Sequence, residues 1–206
     1  DRGRKQRGEG KRDIFTGRLW PYLGRSGAPD DLSGAYVVFR YSPTRAGRHV
    51  DEALSGWTGT IQGDCFAPYV RLDGRPDRDV TLAACWAHAR RGFHEARDSD
   101  PARAMKALRL IAELYAVESE LSDRAAPPSP KEVLDARHEQ SAPVANRFMD
   151  WVDEQLADPA VLPKSPIGRA LAYALGHREQ LERYLSDGRL AIDNSIAERA
   201  IRPIAI

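Results

Sequence analysis

Gly59-Thr60-Ile61-Gln62-Gly63-Asp64, followed downstream by Val80-Thr81-Leu82-Ala83-Ala84-Cys85, decides the fold. The first run is short and ends on a carboxylate. The second is nearly all apolar, the pattern of a strand buried on both faces. A carboxylate at the C-terminal end of such a strand stands where open α/β sheets place their ligand crevice. Working outward to the N-terminal side, Leu19-Trp20-Pro21-Tyr22-Leu23 and Ala35-Tyr36-Val37-Val38-Phe39-Arg40-Tyr41 are β-branched or aromatic runs separated by Gly24, Gly27, Pro29, Asp30 and Gly34. They read as two strands of an antiparallel pair. Short helices are predicted between the strands, over about residues 49–56 and 66–72.

On the C-terminal side of Trp86 the apolar period lengthens to about 3.6 residues. Met105, Leu108, Ile111, Ala112, Tyr115 and Leu121 form one stripe, Val144, Phe148, Trp151, Val152 and Leu156 a second, and Ile167, Leu171 and Leu175 a third. Residues 97–186 are therefore expected to be helical, with Ala126-Pro127-Pro128-Ser129-Pro130 as an interrupting loop. Ser165-Pro166 reads as an N-cap with proline at the first helical position. Asp187-Gly188 closes a helix, Leu190-Ala191-Ile192 is a brief extended piece, and Asp193 or Asn194 caps a last helix that Pro203 ends. Strands first and helices later give an α/β fold with a helical insertion.

The composition narrows the classes. The chain has 206 residues and a mass of 22.9 kDa, 42% of them hydrophobic, enough for one soluble domain with a core. Its longest apolar run falls far short of the ~20 residues that span a bilayer. Two cysteines, Cys65 and Cys85, make neither a disulfide framework nor a four-thiolate zinc site, and no signal peptide opens the chain, so a cytoplasmic protein is expected. The formal net charge is +1, but residues 1–25 carry eight Lys/Arg against three acids, leaving −4 over the remainder. Asp1 to Asp13 contains no apolar side chain and reads as a flexible basic arm.

Two carboxylates stand out by placement. Asp64 ends a strand, and Glu198 lies in the first turns of the last helix beside Arg199 and Arg202, one turn after Asn194. Hard cations such as Mg²⁺ take one or two carboxylates and complete their octahedron with water and substrate phosphate. The same placements also suit a cap or a surface charge. In Cys85-Trp86-Ala87-His88-Ala89-Arg90-Arg91-Gly92-Phe93, a Cys and a His three apart read either as a metal pair or as a packed thiol beside a hydrogen-bonded imidazole. Arg90 and Arg91 are candidates for phosphate contacts or simply solvated. No phosphate-cradling G-x-x-x-x-G-K-[ST], no G-x-G-x-x-G and no G-x-S-x-G occurs, which removes nucleotide-binding and serine-hydrolase readings.

Taken in order, Gly17-Arg18-Leu19-Trp20, Tyr41-Ser42-Pro43-Thr44-Arg45, Gly59 to Asp64, Cys85 to Arg91, Leu114-Tyr115-Ala116-Val117-Glu118, Asp187-Gly188-Arg189-Leu190, Asp193-Asn194 and Glu198-Arg199-Ala200-Ile201-Arg202-Pro203 resemble the transposases of the insertion sequence 66 family. The collinearity of these motifs carries the resemblance, which runs over roughly Gly17 to Ile206. It implies a ribonuclease-H-like mixed sheet with a large all-helical insertion before the last, catalytic helix. It also implies a DDE site, in which three carboxylates hold two Mg²⁺ or Mn²⁺ ions about a phosphodiester. Water would cut the element end, and the freed 3′-hydroxyl would attack target DNA. Residue by residue, the family's acids fall on Asp64 and Glu198 as catalytic and metal-binding residues, with Arg90, Arg91, Arg199 and Arg202 as DNA-binding candidates. The domain organisation so implied is a basic arm over 1–16, core over 17–96, helical insertion over 97–186 and catalytic helix over 187–206.

The chain departs from the family in its opening. The family's first aspartate sits on a central strand ahead of the Gly-Arg-Leu-Trp strand, where this chain has the apolar-free run from Asp1, itself at about the right distance. The family's Asp-Gly-Tyr is here Asp64-Cys65-Phe66. The expected partners are DNA ends and target DNA, with room for a homo-oligomer on DNA and for accessory proteins of the same element. The alternative reading is an inactive remnant, a weak non-specific DNA binder or helical scaffold.

Overall fold

A computed structural model describes residues 17–24 and 35–200. Its first sheet is an antiparallel pair, β1 (Arg18–Gly24) and β2 (Tyr36–Ser42), in register Trp20 opposite Arg40 and Tyr22 opposite Val38. Helix α1 (Arg48–Ala53) leads to β3 (Gly59–Gly63), and α2 (Ala67–Leu72) crosses over to β4 (Val80–Ala84), which runs parallel to β3 with Gly63 opposite Ala84. The expected strands and short helices thus form, each within a residue or a few of its expected bounds. The architecture is mixed α/β, but the four strands make two separate two-stranded sheets rather than one mixed sheet. Among the described residues no strand bridges β1 and β3.

The remaining elements are helical: α3 (Trp86–Glu95), α4 (Pro101–Ser122), α5 (Pro130–Ala136), a π-helical turn (Arg137–Ser141), α6 (Ala142–Leu156), α7 (Pro166–Gly176), α8 (Arg178–Glu182), a 3₁₀ turn (Arg183–Leu185) and α9 (Ser195–Arg199). Their starts are written locally. Asp100 accepts the Arg103 N–H ahead of Pro101, Ser129 and Glu132 form a reciprocal capping box, and the Ser165 hydroxyl accepts the Gly168 N–H at 3.0 Å. Leu190–Ile192 joins neither sheet, and the residues that would carry α9 on to Pro203 lie outside the described part of the chain. No described helix is long and apolar enough to cross a membrane.

One core runs from Leu82 and Ala84 on β4 through Trp86 and Phe93 on α3 into α4, α6, α7 and α8, so the helices and the β3–β4 unit share a single interior. Trp86 is its centre. The ring is fully buried, donates its Nε1–H to the Leu181 carbonyl at 2.8 Å and meets the Phe148 ring edge-on at 5.3 Å. The face of α4 differs from the expected stripe: Ala104, Ala107, Ile111, Leu114, Val117 and Leu121 point inward, while Met105 is 45% exposed. Small alanines let α4 lie close to its neighbours, and close packing outweighs the burial of a flexible methionine. A smaller cluster of Val50, Leu54, Leu72 and Val80 takes Trp20 and Tyr22 from β1 and Ile61 from β3. It is the layer on which the two sheets rest together.

Candidate active-site cleft

The two sheets face each other across a cleft of about 940 Å³, with β1 forming one wall and β3 the other. Asp64 and Glu198, far apart in sequence, both line it. Asp64 follows β3 at a sharp turn: Cys65 adopts φ +54°, a left-handed conformation that costs a non-glycine residue about 1 kcal/mol or more. The turn is held by the Phe66 N–H, which donates to Asp64 Oδ1 at 3.1 Å, and by the Tyr173 hydroxyl of α7, which donates to the Asp64 carbonyl at 3.3 Å. The glycine of the resembled family would sit at the one position here where the backbone favours glycine. The second carboxylate oxygen of Asp64 faces Arg45 Nη2 at 3.8 Å.

Glu198 is placed by the segment that precedes α9. Gln62 of β3 donates to the Ala191 carbonyl at 2.5 Å, Trp86 N–H to the Ile192 carbonyl at 3.2 Å, and Asn194 N–H to Cys85 Sγ at 3.5 Å. Asn194 holds the N-cap position with no side-chain cap bond, and Asp193 before it accepts the Ser195 N–H at 2.9 Å on one oxygen and the Tyr115 hydroxyl at 2.7 Å on the other. Further back, Arg137 is fully buried. It grips Glu118 with two donors at 2.8 and 2.6 Å and gives Nη1 to the Tyr184 and Leu190 carbonyls at 2.9 Å each. Gly188 passes so near Pro130 that a Cβ there would lie 1.8 Å from the Pro130 carbonyl oxygen. The motif residues Tyr115, Glu118, Gly188 and Asp193 are thereby a scaffold for the segment that leads into α9 and carries Glu198.

Glu198 Oε1 lies 3.6 Å from His88 Nε2, and the Nδ1 of that ring and the Oδ1 of Asn194 are buried with no hydrogen-bond partner among the described residues. Cys85 is fully buried, and burial pushes its thiol up to about 11, so it packs as a neutral group. Burial likewise pushes Cys65 up to about 11.

The carboxylates of Asp64 and Glu198 are 33% and 47% exposed, and each has only a loose neighbour, the Arg45 guanidinium for Asp64 and the His88 ring for Glu198. Two accessible carboxylates on one cleft are the donor set a single hard dication takes from a protein, the other positions being filled by water and phosphate. The described residues offer no group of three or more His, Cys, Asp or Glu able to hold a metal ion, so a two-ion site is not assembled among them. Arg90, Arg91 and Arg199 are exposed, and none of them lines the cleft; Arg202 and Asp1 lie outside the described residues. Arg40, Arg45 and Arg189 line it instead. Arg45 and Arg189 both stand in motifs, Tyr41 to Arg45 at the end of β2 and Asp187 to Leu190 ahead of α9, and those positions were the only signal for them.

A profile of the family described as Transposase IS66 family matches residues 4–206. The chain is 31% identical over 194 residues to the uncharacterized protein y4qI of Sinorhizobium fredii, covering 91% of this chain and 35% of that one. It is 28% identical over 206 residues to the uncharacterized protein y4hP of the same organism, covering 93% of this chain and 36% of that one. The chain therefore spans about a third of the length of the curated relatives it matches. No solved structure matches.

Proposed function

The chain belongs to the IS66 family of transposases, and from that premise we propose that it is the catalytic part of a DNA transposase whose cleft between β1 and β3 performs metal-dependent phosphodiester cleavage and strand transfer. The observation that carries the proposal is the convergence of Asp64 and Glu198, 134 positions apart, on one cleft. The fold read in this way is ribonuclease-H-like, with 17–96 and 187–206 as the core, 97–186 as a bracing insertion and 1–16 as a basic arm. Asp64 and Glu198 would hold Mg²⁺ or Mn²⁺. Once bound, such an ion polarises a phosphoryl oxygen and lowers the pKa of a bound water. The chain's own part is to aim the two carboxylates: the Cys65 turn and Tyr173 fix Asp64, and the Asp193 turn ahead of α9 with the Arg137 scaffold fixes Glu198. A second ion needs a third acid. Arg90, Arg91 and Arg199, which do not line the cleft, would serve as outlying DNA contacts together with Arg202, alongside any homo-oligomer or accessory protein.

A second reading, a remnant that binds DNA without cutting it, is favoured by one observation: although Asp187 and Asp193 also line the cleft, the described residues form no group of three or more His, Cys, Asp or Glu that could hold a metal ion. Nicking of supercoiled plasmid in Mn²⁺ separates the two. The catalytic reading expects nicking by the unaltered chain and a fall of about 10²-fold or more in Glu198→Gln and Asp64→Asn. Equal background in all three proteins would leave the remnant.

A further inference from the structure

Arg45 lies at the mouth of the cleft in an arrangement that Asp64 does not explain. Its guanidinium carbon stands 4.4 Å over the centroid of the Phe66 ring, and its Nη2 is 3.8 Å from Asp64 Oδ2, beyond hydrogen-bond reach. The side chain is 58% exposed, and no described residue accepts a hydrogen bond from its guanidinium. An arginine meant only to neutralise Asp64 would close to bidentate distance, as Arg75 does on Asp77 at 2.9 and 2.5 Å. Its place over Phe66 instead holds the group by a cation–π contact at a position that lines the cleft, with its N–H fork unspent.

The loop beneath it is held firmly. Trp20 Nε1–H donates to Ser42 Oγ at 2.7 Å, the Ser42 hydroxyl donates to the Thr44 carbonyl at 2.7 Å, and Thr44 Oγ1 lies 3.1 Å from His49 Nε2. Phe66, the platform, is in turn fixed by its own N–H to Asp64 and by the Trp20 ring at 5.9 Å. A planar cation with unspent donors, oriented in advance beside a carboxylate, is complementary to a phosphate that the carboxylate reaches only through a cation. We propose that Arg45, stacked on Phe66 beside Asp64, is the residue that grips a phosphodiester of the DNA strand entering the cleft.

This rests on the transposase reading, and the test keeps the two apart by measuring binding rather than cutting. Fluorescence anisotropy with a short labelled duplex, in Ca²⁺ and over a range of salt, is run on the unaltered chain, Arg45→Gln and Arg45→Lys. The expected result is a loss of about tenfold in affinity for Arg45→Gln with a salt slope smaller by about one, and only partial recovery in Arg45→Lys, which has the charge but not the fork. Arg45→Gln with affinity and slope unchanged overturns the proposal, as does full recovery by lysine. Failure of the catalytic reading shows elsewhere, as nicking that is indifferent to Asp64→Asn and Glu198→Gln.

Discussion

The helical body and the β1–β2 hairpin are built on opposite terms. In the body, Trp86, Phe93, Phe148 and Tyr184 interlock at ring distances of 5.3–6.5 Å with next to no exposure, and a buried arginine ties three chain segments together. In the hairpin, Tyr36, Val38 and Tyr41 stand open, Tyr41 at 68%, and β1 reaches the rest of the molecule through Trp20 and Tyr22. Both acids are held from the side of the body: Asp64 through Tyr173, Glu198 through Arg137, Asp193 and Trp86. The hairpin supplies the facing wall. Stability and the aim of the acids therefore reside in one region, and the opening of the cleft in the other.

Substitutions that break this division should separate cleanly in urea unfolding. Trp86→Ala empties the centre of the body and is expected to cost about 4 kcal/mol. Val38→Ser, on the open hairpin, is expected to cost under about 0.5 kcal/mol, and a comparable loss at both positions would erase the distinction. Arg137→Ala strands Glu118 and the carbonyls of Tyr184, Asp187 and Leu190 and should cost about 3 kcal/mol, part of it regained when Glu118→Gln is added.

Asp73 sharpens the comparison through pH. Burial works against its charged form, but the Leu82 N–H and the side chains of Arg183 and Gln180 outweigh that and hold its carboxyl below the usual carboxylate range. A depressed folded value gives stability that is complete above the unfolded value near 4 and fades as pH falls through the folded one. Asp73→Asn should cost about 2 kcal/mol at neutral pH and flatten the loss of thermal stability below about pH 4. An acid limb as steep as that of the unaltered chain would show that Asp73 does not govern it. At the lower end, Cys65→Gly should be more stable than Cys65→Ala by about 1 kcal/mol, because only glycine occupies φ +54° without strain.

Period and punctuation made the strands, the cap at Ser165 and the placement of Asp64 and Glu198 at element ends legible, because each is a local pattern: alternation, a capping residue before proline, a carboxylate beside a strand end or a helix start. What escaped the sequence is non-local. Arginine is usually an exposed residue, and Arg137 is buried by carbonyls 47 and 53 positions away that no spacing announces. The inward face of α4 turned on which side let neighbours approach, so Ala104 and Ala107 displaced Met105. The separation of the two sheets escaped it as well, because strand pairing is a long-range choice: β1 takes β2 and β3 takes β4, and no described strand joins the pairs. Arg45 needed the ring of Phe66 beside it before its motif acquired a physical meaning.

The most direct test of a site shared by Asp64 and Glu198 is Mn²⁺ affinity, read by electron paramagnetic resonance of the free ion, in the unaltered chain, Asp64→Asn and Glu198→Gln. A shared site predicts that each single substitution weakens binding by about tenfold or more and that the double variant is scarcely worse than either. Affinity equal to that of the unaltered chain in both single variants would mean that Asp64 and Glu198 line one cleft without holding one ion.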